Sequence, residues 1–438
     1  MMDGTILAAI ALLAGLVIAL GAARVTVTLR AALLLGAAAL LALAAPTLAL
    51  FATIGVATAC AVDASLGRAQ PEVERRAPAV LSRGVPSSLV VATDRGPGSL
   101  RVRQPLVPDV EVTPPEADDG LDATVRGLRR GRHELPAVAT RVVGPLGLAA
   151  WYRRAGNAAE VLVYPDLPAA RRLALAVRQG RFRDPGRLTR GPLGLGTDFE
   201  SIRDYLPDDD VRQVNWRATA RLGRPMSNQY RVEQDRDVVC LVDAGRLMAA
   251  PVGDRTRLDA TIDAVAAVAL VADEVGDRCG VVAFDDQVRR HLPPRRSGGD
   301  AVVRAVFDVE PRPIDSDYEL AFRTVGGGKR AFVLVLTDLL EEAAAQPLLD
   351  AMPVLARRHA VVVASVADPD LEHAVRTPPT QPADVYTAAV ALDVLDARAR
   401  VAAQLRRGGA QAVVEAPPDR LAAACVGAYL RAKARARL

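Results

Sequence analysis

The sequence predicts an α/β protein in three parts: a transmembrane helix hairpin, a small β-sandwich, and a doubly wound domain over the C-terminal half. Three observations predict it. Two uncharged apolar runs open the chain, at 6–23 and 31–62. Short alternating apolar segments, separated by Pro, Gly and Asp, follow between 64 and about 165. From 237 onwards continuous Val/Leu runs alternate with helical segments, the pattern of a mostly parallel sheet covered on both faces. At 438 residues the chain is long enough for several domains and a sizeable core.

The first part, residues 1–63, is read as two membrane helices, about 6–23 and 31–62, broken only by Pro46. Each approaches or exceeds the roughly 20 apolar residues needed to cross a bilayer. A cleaved signal peptide is the alternative for the first run. Against it, the residues before the run include Asp3 and no basic residue, and a second apolar run follows at once. Arg24 and Arg30 lie in the connector, while Arg68, Arg75, Arg76 and Arg83 follow the second run. The positive-inside rule then leans towards both termini and the bulk of the chain in the cytoplasm of a multi-pass plasma-membrane protein. Cys60, Cys240, Cys279 and Cys425 sit in apolar runs at spacings of no disulfide framework or zinc knuckle, consistent with a reducing compartment.

Residues 64–167 read as the β-sandwich, with strands expected at 88–92, 99–103, 123–126, 137–143 and 160–164. Residues 127–135 read as a turn feeding the next strand. Residues 168–236 read as an Arg-rich helix or linker as far as 196, leading into a dense polar segment. In 237–438 strands are expected at 238–242, 279–284, 331–336, 360–366 and 411–414, with an antiparallel edge strand at 287–292. Helices are expected at 258–275, 300–307, 318–324, 341–355, 383–407 and 421–434.

In such sheets the functional edge lies at the carboxyl ends of the strands. Here those ends carry Asp243, Asp285-Asp286, Thr337-Asp338 and Asp368, with Asp315-Ser316-Asp317 capping a helix that faces them. Oxygen ligands gathered at one sheet edge are what Mg²⁺, Mn²⁺ or Ca²⁺ requires. The arrangement resembles the von Willebrand factor A domain, whose metal-adhesion site follows the first strand with Asp-x-Ser-x-Ser. Asp243 and Asp338 match positions of that site, and Ser316 or Asp317 could stand in a third. Gly245 and Leu247 replace both serines, however, and Arg246 sits between them. The expectation is a degenerate site (Asp243, Ser316, Asp338) with no cofactor. The plainer reading is that these aspartates cap helices.

The polar segment from Gly196 to Glu233 is more specific. It holds Asp198-Phe199, Arg203-Asp204-Tyr205, Asp208 to Asp210, Arg212, Asn215-Trp216, Ala220-Arg221 and Glu233. This pattern resembles the family catalogued as domain of unknown function 58. Asn215 departs from it, since Asp is the more usual neighbour of that Trp. The resemblance extends through the downstream domain, and the preceding membrane and β-rich parts match a common architecture of the family. It implies a bacterial membrane protein working with a MoxR-type AAA+ ATPase. Alternating Arg and Asp suit bidentate pairs, with Trp216 and Tyr205 as stacking platforms. The segment therefore reads either as a docking surface (Asp198, Phe199, Arg203, Tyr205, Asp208, Asp210, Arg212, Trp216, Arg221, Glu233) or as an ion-pair network between domains.

Other signals fall away. Gly326-Gly-Gly-Lys-Arg330 precedes a strand, where a phosphate loop must open a helix. The four histidines have no metal or triad spacing, and there is no Gly-x-Ser-x-Gly elbow. Aromatics at 4% do not interleave with the basic residues, which argues against nucleic acid. The expected function is a non-enzymatic, membrane-anchored interaction adaptor or scaffold bound to the lipid bilayer and an AAA+ ATPase. A divalent-metal-dependent adhesion or ligand-binding module at the cell envelope is the alternative. A hydrolase using the sheet-edge carboxylates has no visible nucleophile.

Overall fold

A computed structural model describes residues 25–94, 98–183, 198–206, 209, 211, 214–231, 235–326, 329–339 and 342–434. The apolar run 6–23 lies outside the described residues, as do Asp208, Asp210, Arg212 and Glu233. The protein is mixed α/β and divides into two units, Met1–Val163 and Tyr164–Leu438.

The first unit opens with β1 (Val25–Val27), α1 (Leu29–Leu41) and α2 (Pro46–Leu66). The second apolar run is therefore two helices and not one. Pro46 has no N–H to continue a helix and instead starts the next one, so the chain turns at 42–45. Hydropathy could not reveal the break, because the turn is as apolar as its flanks. Among the described residues one helix, α2, is long and apolar enough to cross a membrane, and α1 is shorter.

Next come β2 (Val73–Arg76), β3 (Val80–Ser82), β4 (Ser87–Thr93), β5 (Ser99–Arg103), β6 (Val110–Thr113), β7 (Glu116–Asp118) and β8 (Leu121–Gly127). β9 (Gly131–Leu135), β10 (Val138–Val143), β11 (Ala149–Ala155) and β12 (Ala159–Tyr164) complete the series. They form sheets ordered β1-β11-β10-β5-β7, β2-β4-β8-β6 and β3-β12-β9. Strand β8 shows why: Leu121, Ala123 and Val125 face inwards while Asp122, Thr124 and Arg126 face out. Leu81, Leu89, Val102, Val125, Leu135 and Val163, drawn from all three sheets, share one apolar core. Gly127 is required by close approach, since a Cβ there would lie 2.6 Å from Val163 Cγ1. The expected turn at 127–135 shrinks to three residues, because β9 pairs with β12 from Gly131 onwards.

The second unit contains α3 (Leu167–Arg178), β13 (Asp198–Asp204), α4 (Trp216–Leu222), β14 (Met226–Arg231), β15 (Asp237–Asp243), β16 (Pro251–Val252) and β17 (Arg255–Thr256). Then follow α5 (Arg257–Glu274), β18 (Arg278–Phe284), β19 (Val288–Arg295), α6 (Gly299–Val306), α7 (Tyr318–Val325), β20 (Ala331–Leu336) and α8 (Glu342–Arg358). β21 (Ala360–Val366), α9 (Pro369–Arg376), α10 (Pro382–Arg407), β22 (Ala412–Ala416) and α11 (Leu421–Ala434) end the unit. The sheet order is β19-β18-β15-β20-β21-β22, parallel except for the edge strand β19. The winding direction reverses between β15 and β20, and the carboxyl ends of that strand pair border a crevice.

Alternate residues of β15 feed two cores. Val238, Cys240 and Val242 join α5 and α11 on one face, and Val239 and Leu241 join α7, α8 and α10 on the other. Of the two readings of the Arg-rich stretch, helix or linker, residues 167–178 take the helical one as α3, whose Ala170 and Ala174 are part of the first core. Tyr164 stacks on Phe307 with ring centroids 4.4 Å apart, so the boundary between units falls before it. All four cysteines are free and buried, and burial pushes the Cys425 thiol up.

Candidate functional site

The crevice is built around Asp243, the last residue of β15. Val242 is in register with Leu336 on β20, which sets Asp243 level with Thr337 and on the same face. The loop before α7 brings Ser316, and Tyr318 follows as the first residue of that helix, with Asp317 capping it through Leu320 N at 2.9 Å. Asp243 Oδ1 accepts from Gly245 N at 2.8 Å and from Ser316 Oγ at 2.5 Å. Its Oδ2 accepts from Thr337 Oγ1 at 2.6 Å and from Tyr318 OH at 2.9 Å. Each oxygen thus has two donors, which fills the acceptor positions of a carboxylate. Burial, and then the Asp243 charge, push the Tyr318 phenol well above its ordinary range, so it stays a neutral donor.

Above this cluster a cavity of about 290 Å³ is lined by Gly245, Arg246, Leu247, Ile314, Asp315 and Ser316, among others. Arg246 Nε pairs with Asp315 at 2.5 Å near its mouth, with both side chains well exposed. A Cβ on Gly245 would overlap Ser316 Oγ and sit 2.9 Å from Ile314 O, so the absence of a serine at 245 follows from Ser316 being where it is.

Asp338 does not join Asp243. One residue beyond Thr337 at the strand end, it is held by two arginines, Arg257 from α5 on one face of the sheet and Arg398 from α10 on the other. Leu339 N at 2.9 Å and Ser365 Oγ at 3.3 Å also donate to it. Arg257 reaches Asp368, the cap of α9, at 3.6 Å, and Arg398 donates to Val366 O at 3.3 Å. Asp285, at the next strand end, accepts from Gln287 N at 3.0 Å and faces Arg312 at 3.5 Å. The residues present therefore do not fit a divalent cation. The Asp243 carboxylate is saturated by donors, Asp338 is paired with two guanidinium groups, and Asp315 at the cavity mouth is paired with Arg246. Among the described residues no three of His, Cys, Asp or Glu converge as metal ligands.

The polar segment folds as a hairpin of β13 and β14 enclosing α4. Asp198 and Phe199 open β13, opposite Arg231 and Tyr230. Asn215 caps α4 through Ala218 N at 2.9 Å while its Nδ2 reaches Asn228 Oδ1 at 2.8 Å, a role that Asp could fill only in part. Gly223 ends the helix with φ of 70°. Arg203 Nη2 donates to Asp209 Oδ1 at 2.5 Å, which together with Leu206 N–H holds the Asp209 carboxyl below its usual range. Tyr205 OH donates to Asp209 O at 3.0 Å, and Asp204 pairs with Arg224 at 3.2 Å. Trp216 is 70% exposed and Arg221 is exposed too, with Leu206, Val211 and Leu222 as exposed apolar neighbours.

Sequence reasoning found Asp243, Ser316 and the Arg203 pairing. It missed Tyr318 and Thr337 as partners of Asp243, and Arg257 and Arg398 as partners of Asp338. For Thr337 the signal was available in strand register: the residue level with Asp243 across a parallel pair shares its face. The arginines left no local signal, since they lie 81 and 60 residues from Asp338.

Among solved structures, a cohesin module from a family 33 glycoside hydrolase of Clostridium perfringens aligns over 22% of this chain and 97% of its own, at 8% identity and a TM-score of 0.15. A score this low carries no structural conclusion. Uncharacterized protein Rv1480 of Mycobacterium tuberculosis and Uncharacterized protein Mb1516 of Mycobacterium bovis are each 26% identical over 218 residues, which is 47% of this chain. The match spans 66% of those relatives' length. Residues 201–406, from the β13–β14 hairpin to the end of α10, match the family described as "Protein of unknown function DUF58".

Proposed function

We propose that the protein is a non-enzymatic, membrane-anchored adaptor that captures a partner protein on the β13–β14 hairpin. The observation that carries this is the exposure of Trp216, at 70%, among exposed apolar neighbours on a polar hairpin. Tryptophan is enriched among residues that dominate binding energy, and several exposed apolar side chains in one segment are the kind of surface a partner covers. The closed hydrogen-bonding shell of Asp243 supports a recognition surface over a reaction centre, because its carboxylate has no remaining acceptor position for a substrate proton. The strand order and the Asp243 loop support a von Willebrand factor A-like domain whose metal-adhesion site has been replaced by hydrogen bonds. The family resemblance supports a MoxR-type AAA+ ATPase as the partner, with the second unit in the cytoplasm of a bacterial cell. A metal-dependent adhesion module has less support, since Asp338 lies between two arginines.

The test is a pull-down of tagged full-length protein from the membrane fraction, with and without ATP and Mg²⁺. An AAA+ ATPase recovered in a nucleotide-dependent manner is expected, and Trp216→Ala should reduce its capture while the melting temperature holds. Recovery of cell-envelope partners alone would reverse the topology. A melting temperature lowered by Trp216→Ala, with capture intact, would make the hairpin structural.

A further inference from the structure

Resting on that membrane-anchored reading, we propose that α1 and α2 form a re-entrant hairpin. It enters the bilayer from the side that carries the β-sheets of the first unit, reverses inside the hydrocarbon at 42–45, and leaves on the side it entered.

Both feet of the hairpin stand on the same two strands. Before α1, β1 pairs with β11 from Val25–Trp151 to Val27–Ala149, and Thr28 donates from N to Leu148 O at 3.0 Å and from Oγ1 to Gly147 O at 2.6 Å. After the apolar part of α2, the Asp63 carboxylate accepts from Leu146 N, Leu148 N and Ala149 N at 2.7, 2.7 and 2.8 Å. Trp151 Nε1 donates to Ala64 O at 2.8 Å. The β10–β11 connection thus clamps both ends, and a buried carboxylate with three backbone donors fixes the last turn of α2 to the sheet.

The arms are too short to reach the far side. At 1.5 Å per residue the 13 residues of α1 extend about 20 Å. Ala31 and Cys60 share one small apolar cluster, so α2 from that level back to Pro46 is similarly about 20 Å. The hydrocarbon core is about 30 Å thick. The full 21 residues of α2 suffice by length, but its last turn, from Asp63, belongs to the sheet and not to lipid.

The tip is built for hydrocarbon and not for headgroups. Residues 31–46 carry no polar side chain, and Leu43 at the turn is 88% exposed. Ala42 N donates to Ala38 O, Leu43 N to Leu40 O, and both Ala44 N and Ala45 N to Leu41 O, at 2.8–3.3 Å. The next residue, Pro46, has no N–H at all. The four amides before Pro46 thus keep internal partners, which lowers the cost of placing this turn in hydrocarbon. Thr53 and Thr58 likewise return their hydroxyls to Ala49 O and Ile54 O, each at 2.8 Å. The buried residues of the arms are mostly small, Ala31, Ala38, Ala49 and Thr53 beside Leu35, while Leu33, Leu40, Leu48 and Phe51 face outwards.

The experiment uses full-length protein in sealed right-side-out and inside-out membrane vesicles, with single cysteines added as Leu43→Cys and Ser88→Cys. The native cysteines are buried and the two positions are exposed, so the substitutions disturb no packing. A membrane-impermeant maleimide should label Ser88→Cys from one face and Leu43→Cys from neither. After reconstitution, a bimane attached at position 43 should be quenched by spin-labelled acyl chains and protected from aqueous iodide. Labelling of Leu43→Cys from the face opposite Ser88→Cys would show a full crossing, and labelling from the same face would show a hairpin outside the bilayer. Either would overturn the proposal. Extraction of the protein by alkaline carbonate would instead overturn the membrane anchoring on which it rests.

Discussion

Replacing Asp338 with Asn separates a structural carboxylate from a metal ligand. In the wild type Asp338 is 5% exposed and lies between Arg257 and Arg398, which are 4% and 2% exposed. The amide keeps the shape but removes the buried charge that pairs with both guanidinium groups. Arg398 is left with Val366 O, and Arg257 with the partly exposed Asp368 at 3.6 Å. Removing one partner of a buried ion pair costs about 3–5 kcal/mol, chiefly because the other charge stays desolvated. For a domain of this size about 2–4 °C is lost per kcal/mol, so the melting temperature should fall by about 6–20 °C. Thermal unfolding of the full-length protein in detergent, followed by circular dichroism with and without millimolar Mg²⁺, reads this directly. Arg398→Met added to Asp338→Asn should recover part of the loss, giving a favourable coupling in a double-mutant cycle. A loss below about 1 kcal/mol would refute the argument, given that buried pairs cost more to break. So would a wild type stabilised by Mg²⁺ beside a variant that is not, since that would return Asp338 to a cation site.

Restoring the serine of a metal-adhesion loop with Gly245→Ser should destabilise the protein by about 1–3 kcal/mol, because the new Cβ overlaps Ser316 Oγ and crowds Ile314 O; an unchanged melting temperature would show that the loop yields. His359 is buried, accepts from Ala331 N at Nδ1, and has its pKa lowered from about 6.5, first by burial and then by Arg358 and Arg330. The unfolded chain therefore binds this proton first, and stability should decline as pH falls below about 6.5 towards the lower folded value. In His359→Gln that component of the pH profile should vanish. Trp216→Ala should change stability by no more than about 0.5 kcal/mol, as expected of an exposed position, while partner capture falls.

The α/β unit was legible because strands buried on both faces are written as unbroken Val/Leu runs, and Ala331–Leu336 and Ala360–Val366 are buried throughout. Strands β2, reading Val-Glu-Arg-Arg, and β7, reading Glu-Ala-Asp, gave no such run, because most of their side chains face solvent. Helix α9 was passed over for the same reason: none of its residues is buried, and its start rests on the Asp368 cap and Pro369. In the polar segment the Arg–Asp pairing was anticipated in kind. The partner of Asp204, however, is Arg224, which comes within reach only once β13 and β14 are paired.

By itself the sequence determined the mixed α/β class, the apolar N-terminal region, the antiparallel edge strand (expected at 287–292, found at 288–295) and the presence of Asp243 at a strand end. Those features follow from local periodicity and composition, which a linear chain displays directly. Only the tertiary structure decided that the run 31–62 turns back at 42–45, and that α3 belongs to the α/β core. It also decided that Thr337, and not Asp338, completes the shell of Asp243. The partners involved are 60 to 94 residues apart, and two adjacent residues at one strand end meet different sets of them. Which neighbour meets which partner depends on how the distant elements are brought together, which amino-acid type does not encode.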